Sequence, residues 1–167
     1  NLKQNVEAND SITLNAQTGV TQATESSLYS GGSGGINITN QTSGNVTLTQ
    51  VTSSGGQINV TNNSDSGSVV LISNINSDKT VSIASKNGIT QQATSNIVVD
   101  GTASDSINLT NTGSGDIKLN NISNTNGNIV VNNSQGTAPV PGNVIASGTL
   151  STTNGYVDIS SGGAYTQ

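Results

Sequence analysis

Nine carboxylates and four lysines are the only charged side chains in this 167-residue chain, and it holds no His and no Cys. The lysines are Lys3, Lys79, Lys86 and Lys118, so Arg is absent as well. A serine or cysteine nucleophile activated by histidine is therefore excluded. A zinc or other transition-metal site is not expected for the same reason, since such sites draw mainly on His and Cys. Paired carboxylates for glycoside hydrolysis remain, and they would need two acids converging on one face. Asp100 and Asp105 are the nearest pair, with Asp116 one strand further on, but the nine acids are scattered. Gly113 to Ile117 has the flavour of a glycine-rich calcium repeat, yet it occurs once and such sites need consecutive repeats. No enzyme and no cofactor are expected, with calcium the one ion left open.

Composition narrows the partners. The net charge is −5 and no basic stripe exists to neutralise phosphates, which argues against nucleic acid. No apolar run approaches the 18 residues of a membrane-spanning helix. No signal peptide opens the chain, which says nothing about a mature or excised segment. Zero Cys neither requires nor excludes an oxidising compartment. Polar low-complexity chains often stay disordered. Here the apolar residues are nearly all Val, Ile, Leu and Ala at period two, which argues for strands. A β-sandwich would need hairpin turns and aromatic core residues, and only 2% of the chain is aromatic.

The strands that organise the chain recur at a fixed spacing. Ile36 and Ile38 open one unit, Val46 and Leu48 follow, Val51 closes it, and Ile58 and Val60 start the next. The same opening pair appears as Ile12/Leu14, Val81/Ile83, Ile107/Leu109, Ile129/Val131 and Val157/Ile159. Steps between successive pairs are 24, 22, 23, 26, 22 and 28 residues. Such a period places each strand against its own counterpart in the next repeat. One coil cannot pair its own strands, because they lie on different faces; stacking supplies the partners. The expected fold is all-β: a right-handed parallel β-helix of about seven coils, three short strands per coil, roughly 33 Å long at 4.8 Å per rung. Ile36, Ile38, Val46, Leu48, Ile58, Val60, Ile107, Leu109, Ile117, Leu119, Ile129 and Val131 are expected in its core.

Turn residues punctuate the coils. Gly or Asn precedes most opening pairs, as at Gly34-Gly35, Gly55-Gly56, Asn126-Gly127 and Asn154-Gly155. Asn40, Asn62, Asn111 and Asn133 each lie two residues past an opening pair, where Ala16, Ser85 and Ser161 stand in the other coils. Stacking would set these four Asn at equivalent corners as two adjacent pairs, able to hydrogen-bond along the stack. Gly19-Val-Thr-Gln22 and Gly88-Ile-Thr-Gln91 match at 69 residues, which makes the larger unit a triplet of coils. The whole chain, 1–167, reads as one solenoid segment, with triplets at about 12–80 and 81–156 and a third starting at 157. It is expected to belong to a longer array. The second triplet is longer, mostly around 136–142, where Pro139 and Pro141 belong outside the ladder.

The G-[VI]-T-Q elements at Gly19 and Gly88, the G-G-x-I-x-[IV] strands and the Asn/Thr/Ser/Gly-rich 22-residue coil resemble filamentous-haemagglutinin-type exoproteins of two-partner secretion systems. That resemblance implies a secreted or cell-surface bacterial protein and a role as adhesin shaft, matrix or biofilm fibre, or spacer, with no catalytic residue. Its partners would be neighbouring repeats, copies of itself, or host and matrix glycans and proteins. A glycan- or ice-binding module is the alternative. Ice binding would need a flat Thr ladder, and Thr47 and Thr49 give way to Lys118 and Asn120 in the matching coil.

Overall fold

The computed structural model describes residues 1–133 and 142–167. The loop expected at 136–142 lies outside the described residues apart from Gly142. The described chain forms a parallel β-solenoid with three sheets of seven strands each. Sheet 1 stacks Val6–Ala8, Ser27–Ser30, Gln50–Ser53, Ile75–Ser77, Asn96–Val99, Asn121–Asn124 and Leu150–Thr152. Sheet 2 stacks Ser11–Ala16, Gly35–Asn40, Ile58–Asn62, Val81–Ser85, Ile107–Asn111, Ile129–Asn133 and Val157–Ser161. Sheet 3 stacks Val20–Thr21, Val46–Leu48, Val69–Leu71, Ile89–Gln91, Ile117–Leu119, Val144–Ala146 and Tyr165–Thr166. The chain visits sheets 1, 2 and 3 in turn, so every strand but the first and last of each sheet pairs with the strands three places before and after it.

Register keeps like over like. Ile36 pairs with Ile58 and Ile38 with Val60; Ile107 lies between Val81 and Ile129. Each strand is too short to be stable alone, and alternation sends every second side chain inward. All twelve aliphatics named above are buried, none more than 2% exposed. They form one apolar column running the length of the stack. Polar inward side chains gather at the corners, among them Ser30, Ser53, Ser77 and Asn124 on sheet 1, the four corner Asn and Ser85 on sheet 2, and Gln91 on sheet 3. Among the described residues, no buried side-chain nitrogen or oxygen lacks a hydrogen-bond partner.

The connections repeat every third coil. From the last inward residue of sheet 3 to the first of sheet 1, the chain advances four residues (Leu2 to Val6), six (Gln22 to Leu28) and three (Leu48 to Val51). It then advances four (Leu71 to Ile75), six (Gln91 to Ile97), three (Leu119 to Ile122) and four (Ala146 to Leu150). The turns from sheet 2 to sheet 3 behave alike. They are short after Ala16, Ser85 and Ser161 and longer after Asn40 and Asn111.

Candidate functional site

The first candidate constellation is the set of four corner Asn, which the register brings together in two pairs. Ile38 and Val60 turn inward, so Asn40 and Asn62, two residues on, turn inward too. Asn40 Nδ2 donates to Asn62 Oδ1 at 2.8 Å. Asn111 Nδ2 donates to Asn133 Oδ1 at 2.8 Å. Both pairs are fully buried. Each pair is entered from the coil before it. The Gly19 N–H donates to Asn40 Oδ1 at 2.8 Å, and the Gly88 N–H to Asn111 Oδ1 at 2.7 Å. These two glycines have positive φ, +105° and +98°, and a Cβ on either would sit 2.7 Å from a backbone oxygen of the next coil. Ala16 and Ser85 precede them, in coils whose turn to sheet 3 is two residues shorter than after Asn40 and Asn111. Asn amides also bind turn carbonyls: Asn40 Nδ2 to Ser43 and Gly44, Asn111 Nδ2 to Gly113 and Gly115. The ladder is thus a device for holding wide turns shut, with no atom open to solvent.

A second constellation was not legible as such. Gln22 is 2% exposed and Gln91 6% exposed. Gln22 Nε2 donates to the carbonyls of Ser26 (2.8 Å) and Gln50 (2.9 Å), and its Oε1 accepts from Thr49 N–H (3.1 Å). Gln91 Nε2 donates to Ser95 and Asn121 carbonyls, both 2.9 Å, and its Oε1 accepts from Asn120 N–H at 3.0 Å. Each glutamine therefore pins its own six-residue connection and clamps the three-residue connection of the next coil. The matching G-x-T-Q elements announced the position, but not the inward direction of the glutamine. Period two from Val20 would have given it: Val20 in, Thr21 out, Gln22 in. Thr49 likewise turns inward, 1% exposed, with its hydroxyl on the carbonyls of Ala23 and Ser26. The outward rung imagined at Thr47 and Thr49 is therefore corrected to Thr47 alone.

A third device recurs along all three sheets. An Asn or Asp just before a strand accepts an N–H from the next coil. Asn5 serves Ser27 and Asn74 serves Asn96 on sheet 1, Asn128 serves Tyr156 on sheet 2, and Asn45 serves Ser68 and Asp116 serves Asn143 on sheet 3. In every case the acceptor lies in the earlier coil and the N–H in the later one. The signal was the recurring Asn-aliphatic dipeptide, hidden by the abundance of Asn.

The carboxylates do not converge. Asp100 and Asp105 lie at the corner between sheets 1 and 2, Asp116 at the corner between sheets 2 and 3. Asp116 Oδ1 also accepts from Asn143 Nδ2 (3.2 Å), and Lys118 stands 3.9 Å from its other oxygen. Among the described residues no group of three or more His, Cys, Asp or Glu is placed to hold a metal ion. Asp105 is 7% exposed. Burial pushes its carboxyl up, but the Thr102 hydroxyl (2.7 Å) and N–H (2.8 Å) and the Lys79 ammonium (3.7 Å) outweigh this and hold it below the ordinary 3.8. A depressed folded-state value contributes stability above the unfolded value, lost as pH falls through the folded one. Asp105→Asn is therefore expected to melt lower than wild type at pH 7. The gap should narrow as the pH of a thermal-melt series drops below about 4. The three tyrosines, 40%, 58% and 45% exposed, stand apart: Tyr29 on sheet 1, Tyr156 at the head of a sheet 2 strand and Tyr165 on sheet 3. No aromatic platform forms.

Compared with known proteins, the chain matches no family model, and no curated protein or solved structure is significantly similar to it. What the geometry establishes is a β-solenoid built of repeated coils.

Proposed function

We propose that this chain is a structural, non-enzymatic shaft segment of a bacterial surface or extracellular-matrix adhesin. The observation that carries the reading is where the polar specialisation lies. The repeated Asn and Gln constellations are spent inside the stack, coil to coil, and not on an open site. Parallel pairing in three sheets makes a stiff rod, and repetition sets its length. The composition and coil motifs that resemble filamentous-haemagglutinin-type exoproteins support a surface location at the level of the fold. The described faces hold no aromatic platform and no regular Thr ladder, so neither a glycan nor an ice surface has a specific observation in its favour.

The test is a display experiment. The chain is placed between a membrane anchor and a binding tip of known specificity on a bacterial surface. Cells carrying tip and rod should adhere better to a recessed ligand than cells carrying the tip alone, and cells carrying the rod without the tip should not adhere. Adhesion by the rod alone to a panel of glycans and matrix proteins would sink the spacer role.

A further inference from the structure

Among the described residues, the outer face of sheet 2 is the widest of the three sheet faces. Its strands run mostly to five residues, against two to four on the other sheets, so they present two outward columns. One column is Thr13, Asn37, Asn59, Ser82, Asn108, Val130 and Asp158; the other is Asn15, Thr39, Thr61, Ala84, Thr110, Asn132 and Ser160. From the first coil to the sixth these columns hold no charge, although the chain carries −5. The side chains are short, in register, and from Asn37 to Asn132 half-buried by one another. Asn59 Nδ2 donates to Asn37 Oδ1 at 3.0 Å, which keeps that column aligned. Sheet 1 is interrupted by protruding Tyr29, and sheet 3 has strands of two or three residues with Lys118 among its outward groups.

We infer that this face pairs with the same face of a second copy. Two columns make it self-complementary about a twofold axis along the rod. That axis sets the Asn37 column of one copy against the Thr39 column of the other, rung by rung. Asn37, Asn59 and Asn108 amides then meet Thr39, Thr61 and Thr110 hydroxyls, each side able to donate and accept. Asp158 meets Ser160 and not its own copy. A face about 33 Å long and 17 Å wide buries roughly 1,100 Å² over both partners, just below the range of stable complexes. The dimer is therefore weak and forms at high local concentration, as between rods crowded side by side. The inference uses the rod geometry and is independent of the surface role: a rod that stays monomeric overturns it and leaves the spacer reading intact.

Sedimentation velocity over a concentration series is the test, with two double variants of equal charge. Thr39→Glu with Thr110→Glu puts one carboxylate on each of two sheet 2 rungs three coils apart, beyond about one Debye length. Thr21→Glu with Thr90→Glu does the same on sheet 3. Wild type and the sheet 3 variant should show reversible dimers at the same concentrations. The sheet 2 variant, with an unchanged melt, should need at least about tenfold more protein. A wild type that stays monomeric throughout overturns the inference, as does a sheet 2 variant that dimerises like wild type. Thermal hysteresis or glycan binding by a monomeric wild type, abolished in the sheet 2 variant, would assign the face to another occupant and overturn it equally.

Discussion

Asn111→Ala lowers the stability of the rod by about 4 kcal/mol, a fall in melting temperature on the order of 10 °C for a chain of this size. The substitution leaves the Gly88 N–H without its acceptor and the Gly113 carbonyl without its side-chain donor, removes one of the two amide donors to the Gly115 carbonyl, and takes the Asn111 amide away from Asn133 Oδ1. Gly88, Asn111 and Asn133 are buried, so at their atoms water does not replace the amide. An unsatisfied buried polar group costs about 1–3 kcal/mol, and several are created at once. The outer pair is the control. Asn59 donates to Asn37 across the same two coils' spacing, 22 residues, at nearly the same distance, but half-buried on the outer face. Asn59→Ala should cost less than about 1 kcal/mol, because solvent takes over its hydrogen bonds. Chemical denaturation of both variants, at a concentration where the rod is monomeric, measures the difference. Equal losses would mean that the buried ladder contributes no more than a surface contact.

Removing three coils preserves the rod's N-terminal end, whereas removing one does not. Deletion of residues 23–91 joins Gln22 to Gln92 and takes out 69 residues. Gln22 then inherits the partners of Gln91, Gly19 N–H inherits Asn111 Oδ1, and a six-residue connection again lies under a three-residue one. Deletion of residues 29–51 removes a single coil by joining Leu28 to Thr52, so that Thr52 takes the place of its sheet 1 register partner Tyr29. Gln22 then faces the four-residue connection after Leu71 and loses the Gln50 carbonyl and the Thr49 N–H. Two buried polar atoms go unmet, about 4 kcal/mol at the one junction. In native-state hydrogen exchange, the amides of Ile12, Leu14 and Val20 should stay protected in the three-coil deletion. In the one-coil deletion they should lose about a thousandfold in protection, although that chain is longer. Equal protection in the two would make the single coil, not the triplet, the interchangeable unit.

The sequence showed strands more readily than it showed what ties them. Ile36, Val46, Val51 and Ile58 announce their faces because aliphatic burial is local and period two reports it directly. Asn40, Asn62, Asn111 and Asn133 were legible as corner residues because they recur at a fixed distance from those aliphatics. Gln22, Gln91 and Thr49 were not, since a polar side chain is normally read as outward. Apart from the Ser26 and Ser95 carbonyls four residues on, their partners are backbone atoms 23 to 30 residues away, visible only once the coils are stacked. The Asn5, Asn45 and Asn74 acceptors were obscured for a different reason: in a chain crowded with Asn, no single one stands out. The functional part is thinner. Acid scatter, the missing His and Cys, and three separated tyrosines describe what the faces lack, and a repeated rod needs no partner-specific residue to do its work.

The central claim is that like strands lie over like, one rung apart, for the whole length. The chain has no cysteine, so spin labels can be placed at will. Asn15, Ala84, Thr110 and Ser160 all lie in one outward column of sheet 2, at its first, fourth, fifth and seventh strands. Pulsed dipolar spectroscopy on doubly labelled chains, diluted with unlabelled protein, reads the spacings from Asn15. In-register stacking predicts narrow distributions rising linearly at about 4.8 Å per rung, near 14, 19 and 29 Å between backbone positions. Broad distributions, or a Ser160 label no farther from Asn15 than the Ala84 label, would contradict it.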